Sequence, residues 1–417
     1  MSDSTQAKTR VLFFGEAATL SHVARPAVLA GSLPAGEYEV RLAGHPRFAP
    51  LFRESQFSVV PLASVSSDSV LENAHKGRPL FDLDTLDRYV REDMRLIGEF
   101  APDVVVGDLR LSLSVSARLA GVPYVNIINA QWSPYSRCAV EFPENPLREF
   151  LPGLAADLLM DLARPVGSAL YCFPLNALRL KYGLPPVSAD IKEQMCDGDF
   201  VAYPDVPELV PTRPLPARHR YLGPVFWSPR VAPPVWWNSV PRDKPTVYVN
   251  LGSSGKRDLL QTILRALAVL PVTVIAASAS RSRIADPPEN AFLSEYLPGD
   301  QAVSRAQLFI SNGGTMAGQQ SLAAGVPVLG MVTHGDQLAF AKAVQMAGAG
   351  EVLIAGKADA PAIAESVRRM LSTASYAQSA ERLAGVMRRY DAVCRFQELM
   401  REIRASRGVN ARRAAAP

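Results

Sequence analysis

Residues 307–337, QLFISNGGTMAGQQSLAAGVPVLGMVTHGDQ, carry the clearest structural pattern in this chain of 417 residues. The apolar run Gln307–Ser311 leads through a glycine-containing turn into the helical stretch Thr315–Ala324, and a second apolar run, Val326–Val332, follows. Apolar runs without alternation are typical of parallel strands that are buried on both faces. The pattern therefore predicts a strand–helix–strand unit with a right-handed crossover.

The same alternation recurs on both sides of this stretch. Further strands are predicted at Arg10–Phe14, Tyr38–Leu42, Phe57–Pro61, Asp103–Gly107, Pro123–Ile128, Thr246–Leu251 and Val272–Ala277. Further helices are predicted at Ser21–Leu33, Leu111–Ala120, Arg257–Leu270, Gln337–Ala347 and Ala360–Ser372. A chain of this length exceeds one compact core. The fold class is therefore α/β, with two Rossmann-like domains facing across a cleft and ligands expected beyond the carboxyl ends of the strands.

A proline-rich segment separates the two halves of the chain. Eleven prolines lie between residues 203 and 245. Because proline fixes φ and lacks an N–H, this segment is predicted to join domains rather than to build a sheet. The predicted boundaries are residues 1–225 for the first domain, 226–245 for the linker, 246–390 for the second domain and 391–417 for a C-terminal helix and tail. The helix can return to the first domain, and the basic tail, residues 401–413, is expected to be solvated and frayed.

Composition and charge exclude several classes of protein. Hydrophobic residues make up 48% of the chain and charged residues 20%, which excludes a mostly disordered chain, a collagen and a disulfide scaffold. Four scattered cysteines without a CxxC pair favour reduced thiols in a cytoplasmic protein over a zinc site. The polar start and the interrupted apolar stretch 151–175 predict neither a signal peptide nor a membrane span. A net charge of +4 without a basic, aromatic-rich face argues against nucleic acid as a partner.

Two glycine-containing turns follow predicted strands in the second half. The first is Asn250–Gly255 and the second is Ser311–Thr315. Glycine lets the backbone come close to a phosphate, and the start of the following helix supplies free N–H groups and the positive end of its dipole. Neither turn matches GxGxxG or a Walker A motif, and either one alone is also typical of a purely structural turn.

The spacing of three motifs resembles a known enzyme family. Asn312-Gly313-Gly314 is followed by Ser321-Leu322…Gly325-Val326-Pro327 and then by Asp336-Gln337. This arrangement is similar to the nucleotide-sugar-dependent glycosyltransferases of the two-Rossmann-domain (GT-B) type, and most of all to the UDP/dTDP-glycosyltransferases that act on small hydrophobic acceptors. The resemblance implies that the first domain binds the acceptor and the second domain binds the donor.

The resemblance also implies a set of donor-binding residues. They are Gly252, Ser253, Ser254, Tyr296, Leu297, Asn312, Gly313, Gly314, Thr315, Gln320, Asp336 and Gln337. The two glycine turns would bind the diphosphate, the loop at Tyr296 and Leu297 would meet the nucleotide base, Gln320 the ribose, and Asp336 with Gln337 the hydroxyls of the sugar. Asn312 and Gln320 depart from the histidine and the glutamate that are more usual in the family.

An inverting sugar transfer needs one base for the acceptor hydroxyl and stabilisation of the leaving diphosphate. His22 follows the first predicted strand, where the resemblance places a catalytic histidine, and Arg25 comes shortly after it. Asp108 follows another strand and matches the family's helper aspartate, which would fix the tautomer of His22. An aspartate at this position is also a good helix N-cap, and Glu16 is an alternative base.

The segment 132–184 is apolar and contains aromatic residues, so it either lines an acceptor pocket or packs as ordinary core. The residues that favour a pocket are Trp132, Tyr135, Phe142, Phe150, Leu151, Leu158, Met160, Tyr171 and Phe173. Asn126, Asn129 and Gln131, near the end of the preceding strand, offer polar contacts to an acceptor.

These observations predict an inverting, metal-independent glycosyltransferase without a cofactor. It would move a sugar from a UDP- or dTDP-sugar to a hydroxyl of a small, largely apolar acceptor, either a natural product or a lipid. The segment Asp82-Leu83-Asp84 has the spacing of a metal-binding motif, but carboxylates are also favourable at the helix start predicted there. The alternatives are a nucleotide-sugar 2-epimerase of the same fold, a non-catalytic auxiliary protein, and an enzyme that rests on a membrane through the basic residues 395–407.

Overall fold

A computed structural model describes residues 8–52, 55–139, 153–252, 258–278, 284 and 286–414. It contains two parallel β-sheets, one in each half of the chain, and this confirms the predicted α/β architecture. Every residue of several central strands is buried, including Val104–Asp108 in the first sheet and Val328–Val332 in the second. Helices therefore cover both faces of each sheet, as the unbroken apolar runs predicted.

The first sheet has seven parallel strands in the order β3-β2-β1-β4-β5-β6-β7. The strands are β1 (Thr9–Gly15), β2 (Tyr38–Gly44), β3 (Ser58–Pro61), β4 (Val104–Asp108), β5 (Tyr124–Ile127), β6 (Phe200–Tyr203) and β7 (His219–Tyr221). The helices of this half are α1 (Ser21–Ser32), α2 (Ser67–His75), α3 (Leu83–Phe100), α4 (Leu113–Leu119), α5 (Gly153–Lys181) and α6 (Ile191–Met195).

The second sheet has six parallel strands in the order β10-β9-β8-β11-β12-β13. The strands are β8 (Thr246–Asn250), β9 (Thr273–Ala277), β10 (Ala291–Ser294), β11 (Leu308–Ser311), β12 (Val328–Val332) and β13 (Gly350–Ile354). The helices are α7 (Leu259–Ala268), α8 (Gly299–Ser304), α9 (Thr315–Ala323), α10 (Gly335–Met346), α11 (Ala360–Ser372), α12 (Ala374–Met387) and α13 (Ala392–Ala414).

The register of the central strands brings the predicted site residues together. Gly15 of β1 lies opposite Asp108 of β4, so the turn that carries His22 and the end of β4 share one sheet edge. In the second sheet Asn250 of β8 lies opposite Ser311 of β11, so the two glycine turns begin side by side. Since carboxyl ends of parallel strands meet at one edge, each domain presents its site residues from that edge.

The structure corrects the prediction for the proline-rich segment. His219–Tyr221, within residues 203–245, forms the edge strand β7 and pairs with β6. Prolines flank this strand at Pro216 and Pro224 without entering it, which is how proline is tolerated at a sheet edge. The strand has only three residues and no apolar run, so the periodicity of the sequence could not predict it.

The segment Asp82-Leu83-Asp84 is a helix start, as one of its two interpretations held. Asp82 is the N-cap of α3, and its Oδ1 accepts a hydrogen bond of 2.8 Å from the backbone N–H of Thr85. Its carboxylate thereby satisfies one of the free N–H groups of the first turn. Within the described part of the chain, no group of three or more His, Cys, Asp or Glu side chains is arranged to hold a metal ion.

The C-terminal helix α13 returns to the first domain, as predicted. Phe396, Leu399, Met400 and Ile403 are buried among core residues of the first sheet, and the rings of Phe13 and Phe396 lie 5.9 Å apart. The expectation of a solvated tail is wrong for the docked part of this helix, because Arg404 pairs with Glu37 at 3.0 Å. Within the ranges given above, no helix combines the length and the apolar composition needed to cross a membrane.

Candidate active site

A cleft of about 1660 Å³ lies between the two domains and is lined by residues from both. The predicted site residues that line it are His22, Asp108, Gly252, Tyr296, Leu297, Asn312, Gly314, Thr315, Gln320, Asp336 and Gln337. Pockets for a single small molecule measure about 300–1,000 Å³. The cleft is therefore large enough for two substrates at once.

His22 and Asp108 form a close pair in this cleft. Nδ1 of His22 lies 2.6 Å from Oδ1 of Asp108. A nitrogen and a carboxylate oxygen at this distance share a proton, so the geometry assigns the proton to Nδ1 and leaves Nε2 with a free lone pair. Asp108 is buried, whereas the His22 side chain is 22% exposed. The pair therefore has the arrangement of a general base held by a carboxylate.

Arg25 is a partner of Asp108 that the sequence did not identify. Its Nε donates to Oδ2 of Asp108 at 2.8 Å, and its Nη2 donates to Oδ1 at 2.8 Å. Its Nη1 donates to Oδ1 of Asn129 at 2.7 Å. Arg25 lies one turn after His22 on α1 and is only 3% exposed. The planar guanidinium thus fixes the plane of the carboxylate against which His22 is oriented.

Glu16, the alternative base, is withdrawn from the cleft. Its side chain is completely buried, and Oε2 accepts a hydrogen bond of 2.9 Å from Nη1 of Arg110. Burial raises the pKa of Glu16, while the Arg110 guanidinium opposes this effect. A base must contact the hydroxyl that it deprotonates, so the geometry favours His22 over Glu16.

The two glycine turns of the second domain have related geometries. In the first turn, Oδ1 of Asn250 accepts a hydrogen bond from the Gly252 N–H at 2.9 Å. In the second, Oδ1 of Asn312 accepts one from the Gly314 N–H at 3.1 Å. The amide nitrogen of Asn312 lies 3.7 Å from the position that a Cβ on Gly252 would occupy, so it faces the first turn. The two turns therefore lie side by side at the start of α9. Of the residues predicted for the first turn, Ser253 and Ser254 lie outside the described residues.

Gly313 is required for a different reason from the predicted one. Its φ is +79°, in the left-handed region that favours glycine. A Cβ at this position would lie 2.8 Å from Cγ1 of Val332 and 3.1 Å from the carbonyl oxygen of Gln337. The missing side chain therefore makes room for β12 and α10 behind the turn, and the approach of a phosphate to this turn stays a prediction.

The predicted base and ribose contacts lie further along the cleft. Tyr296 is half-exposed and Leu297 is buried, and both line the cleft. Nε2 of Gln320 donates a hydrogen bond of 2.8 Å to Oγ of Ser228. Ser228 was not predicted, because it lies in the linker and no motif marks it. Its bond leaves Oε1 of Gln320 as the atom that can accept from a sugar hydroxyl.

Asp336 and Gln337 stand at the start of α10, where they are already hydrogen-bonded. Oδ1 of Asp336 accepts hydrogen bonds from Nε1 of Trp132 at 2.7 Å and from Nε2 of Gln131 at 3.2 Å, both from the first domain. Oε1 of Gln337 accepts from the N–H and the hydroxyl of Thr333 at 2.8 and 2.9 Å. The acceptor domain therefore contacts the predicted sugar-binding carboxylate directly.

The acceptor wall agrees with the prediction only in part. Trp132, Met160 and Tyr171 line the cleft, whereas Leu158 and Phe173 are exposed on α5. Phe142, Phe150 and Leu151 lie outside the described residues.

The three predicted polar contacts to an acceptor have other partners. Asn126 donates to the carbonyl oxygens of Met195 and Asp197, so it holds the backbone of the first domain. Asn129 bonds to Arg25, and Gln131 bonds to Asp336, as described above. His334 lies on the cleft beside Asp336, and burial lowers its pKa.

Comparisons with known proteins agree with this geometry. Residues 261–390 match the family model described as "Erythromycin biosynthesis protein CIII-like, C-terminal domain". A "PGL/p-HBAD biosynthesis glycosyltransferase" of Mycobacterium tuberculosis is 49% identical over 377 residues, which cover 90% of this chain and 88% of that protein. A "PGL/p-HBAD biosynthesis rhamnosyltransferase" of Mycobacterium bovis is 46% identical over 377 residues, covering 90% of this chain and 84% of that protein.

Solved structures share the fold at low sequence identity. Spinosyn forosaminyltransferase is 22% identical, with a TM-score of 0.66, and the match covers 94% of this chain and 99% of that one. Spinosyn rhamnosyltransferase in complex with thymidine diphosphate is 18% identical, with a TM-score of 0.67 and coverage of 95% and 100%. These similarities show that both sheets belong to one two-domain architecture.

Proposed function

The chain belongs to the family of nucleotide-sugar-dependent glycosyltransferases with two Rossmann-like domains. We propose that it transfers a deoxyhexose from a dTDP-sugar to a hydroxyl of an apolar PGL/p-HBAD-type acceptor. Among deoxyhexoses, rhamnose is the sugar that we propose. The observation that carries the proposal is the 2.6 Å pair of His22 and Asp108 in one cleft with the Asn312–Thr315 turn. That cleft places a base and an anion-binding helix start around a common space.

The reaction is a single displacement with inversion. Nε2 of His22 takes the proton of the acceptor hydroxyl while the hydroxyl oxygen forms a bond to the anomeric carbon of the sugar. The bond between that carbon and the diphosphate oxygen breaks, and the diphosphate leaves with the electron pair. Asp108 stabilises the imidazolium that forms. The N–H groups at the start of α9 and the amide of Asn312 meet the negative charge that grows on the diphosphate.

The deoxyribose of dTDP fits the glutamine at position 320, where a glutamate is more usual in the family. A ribose offers two hydroxyls at this side, whereas a 2′-deoxyribose offers only the 3′-hydroxyl. Gln320 donates to Ser228 through Nε2, and its Oε1 can accept from the 3′-hydroxyl that both sugars carry, so a 2′-hydroxyl is not needed for this contact. The names of the rhamnosyltransferase relative and of the thymidine diphosphate complex support the same donor class.

The acceptor is proposed to be largely apolar because Trp132, Met160 and Tyr171 form its wall. The names of the curated relatives point to PGL/p-HBAD biosynthesis. The hydroxyl of such an acceptor would lie near His22, which lines the same cleft as this wall.

The direct test is an assay with a donor and acceptor panel. Purified protein is incubated with dTDP-rhamnose or UDP-sugars and a phenolic acceptor, and the product and its anomeric configuration are determined by mass spectrometry and NMR. We expect transfer from the dTDP-sugar with inversion, and dTDP to raise the melting temperature more than UDP or GDP, since a ligand stabilises by RT ln(1 + [L]/Kd). Isomerisation of a UDP-sugar without acceptor, and no transfer, would instead identify a 2-epimerase.

The donor site is tested at Asn312. Asn312→Ala should lower kcat and weaken dTDP-sugar binding, with a total loss of about 1–3 kcal/mol, because a hydrogen bond to a charged group is removed. Asn312→Asp should be worse, since a carboxylate would face the diphosphate. The measurement is initial rates at saturating acceptor and varied donor. Equal activity in all three proteins would place the diphosphate elsewhere.

A further inference from the structure

Five buried side chains form a hydrogen-bonded series that crosses from one domain to the other. Asp108 is held by Arg25, and Nη1 of Arg25 donates to Oδ1 of Asn129 at 2.7 Å. Nδ2 of Asn129 donates to Oδ2 of Asp205 at 3.2 Å. Nε2 of Gln319, on helix α9 of the donor domain, donates to Oδ1 of Asp205 at 2.7 Å.

The five groups are complementary and shielded from water. None of them is more than 7% exposed. Arg25 can only donate and an ionised Asp205 can only accept, so the amide of Asn129 between them has one possible orientation. In a water-excluded setting such hydrogen bonds are strong, and leaving one unmade is costly. A displacement of the group at one end of the series therefore changes the position of the group at the other end.

The two ends of the series lie at the two halves of the proposed reaction. At one end, Oδ1 of Asp108 contacts Nδ1 of His22. At the other end, Gln319 lies four residues after Thr315, which is one helical turn from the start of α9. Gln319 also donates to the carbonyl oxygen of Pro204 in the first domain at 3.1 Å. The glycine turn before α9 is thus fixed relative to the base.

We propose that Arg25, Asn129, Asp205 and Gln319 are positioning residues that couple the seating of the donor domain's diphosphate turn to the orientation of His22 through Asp108. This inference rests on the proposed role of His22 as the base. When α9 shifts, Gln319 pulls on Asp205, and the displacement passes through Asn129 and Arg25 to the carboxylate plane. Donor binding and the orientation of the base are then linked through these hydrogen bonds.

The first test uses Gln319→Met, which keeps the length of the side chain and removes both hydrogen bonds. We expect kcat to fall about 10- to 100-fold, because a misplaced base is costly even when chemistry is otherwise intact. The Kd for dTDP, measured by calorimetry in parallel, separates a change in turnover from a change in nucleotide affinity. A loss that appears only in nucleotide affinity, with kcat unchanged, would overturn the proposal.

The matched control is Glu208→Gln. Glu208 also connects the two halves of the chain, through Arg389 at 3.3 Å, but this pair is exposed and does not reach the His22 end. Its kcat should match that of the wild type. If Glu208→Gln lowers kcat as much as Gln319→Met does, any contact between the halves has the same effect and the specific series is refuted.

The second test is the pH profile of Arg25→Lys, which keeps the charge and loses the two-pronged contact. Asp108 would then be less fully neutralised, and it would stabilise the His22 imidazolium more strongly. The acid limb of kcat/KM should therefore move to higher pH. A merely structural role for Arg25 would lower the amount of folded protein and leave the limb in place.

The deciding test combines Gln319→Met with His22→Gln. If Gln319 acts through His22, its substitution should change the residual kcat of His22→Gln by less than about twofold, since coupled residues are non-additive. A full multiplicative loss would overturn the series while leaving His22 as the base. Wild-type turnover in His22→Gln alone would overturn the proposed base, and the inference with it. Melting curves of the wild type, the two single variants and the double variant establish that folded protein is compared.

Discussion

Two buried charge clusters lie at the carboxyl ends of the same two strands, β1 and β4, and only one of them reaches the cleft. The His22 cluster consists of His22, Arg25 and Asp108, and the Arg110 cluster consists of Glu16, Asp93 and Arg110. In each of them an arginine binds carboxylate oxygens at 2.8–3.0 Å. In the Arg110 cluster all three side chains are completely buried, and a further partner of Arg110, Glu92 at 3.2 Å, is 21% exposed but does not line the cleft.

A single residue separates the two clusters along the chain. Leu109 lies between Asp108 and Arg110 and has a φ of +59°, which is rare for a residue with a branched side chain. At this backbone conformation the two neighbours of Leu109, Asp108 and Arg110, belong to different clusters. The comparison teaches that a charged residue at the end of a parallel strand is not thereby catalytic. The difference is that the exposed member of the His22 cluster, His22 itself, lines the cleft, where its Nε2 can meet a substrate.

The largest expected effect comes from removing that exposed member. His22→Gln retains a hydrogen bond to Asp108 but cannot accept a proton, so kcat should fall about 10²–10⁴-fold. The Kd for dTDP and the free energy of unfolding should change little, because the substitution lies on the cleft surface of the first domain. Steady-state rates, calorimetry and urea denaturation are the measurements. Near-normal turnover would remove the functional difference between the clusters.

The next largest effect is expected from Arg110→Met, and it concerns stability. Removing the cation leaves Glu16 and Asp93 buried without a counter-charge, which costs about 3–5 kcal/mol of unfolding free energy. Burial already raises the pKa of both carboxyls, so the loss should be smaller at pH 5, where they can bind protons. The kcat per folded molecule should stay near that of the wild type. A variant with wild-type stability and low kcat would mean that the Arg110 cluster, and not the His22 cluster, carries catalysis.

A smaller effect is expected from Glu16→Gln. Arg110 keeps Asp93 as a partner at 3.0 Å, so the loss is that of one hydrogen bond to a charged group, about 1.5–3 kcal/mol. Turnover should be retained. Urea denaturation together with the transfer assay checks both statements. A fall in kcat as large as that of His22→Gln would restore Glu16 as the base.

Much of the fold was predictable because parallel strands that are buried on both faces leave a simple trace. Apolar runs such as Asp103–Gly107 and Val326–Val332 were predicted within two residues of β4 and β12. The edge strand β7 was not, because it reads His-Arg-Tyr and gains its place from pairing with β6 alone. Tertiary pairing of this kind has no local signal.

The candidate site was predictable where a motif and a strand end coincide. His22, Asp108, Asn312 and Asp336 follow strands or their turns, and the structure brings all four to the cleft. Arg25, Asp205 and Ser228 were missed as site residues, since their roles depend on side-chain contacts between elements that are distant in sequence. The φ and the surroundings of Gly313 likewise could not be read from an Asn-Gly-Gly turn.

The smallest expected effect sharpens the comparison with a further buried carboxylate, Asp205, which belongs to neither cluster. Asp108 is neutralised by Arg25, whereas the partners of the Asp205 carboxylate within the described ranges are the neutral N–H groups of Ala130, Asn129 and Gln319. Burial raises the pKa of Asp205 to about 6; Arg25 opposes this shift and Asp336 adds to it.

A carboxyl whose pKa is higher in the folded than in the unfolded protein binds more protons when folded, so its contribution to stability rises as pH falls towards the unfolded value near 3.8. From pH 7 to pH 5 this group alone should add about 1.3 kcal/mol to the free energy of unfolding. Asp205→Asn does not titrate, so the difference in unfolding free energy between wild type and this variant should shift by that amount in favour of the wild type at pH 5. Urea denaturation of both proteins at pH 5, 6 and 7 measures it. A difference that is constant across this range would mean that Asp205 is neutralised as fully as Asp108, and that these two buried carboxylates do not differ in the way their partners indicate.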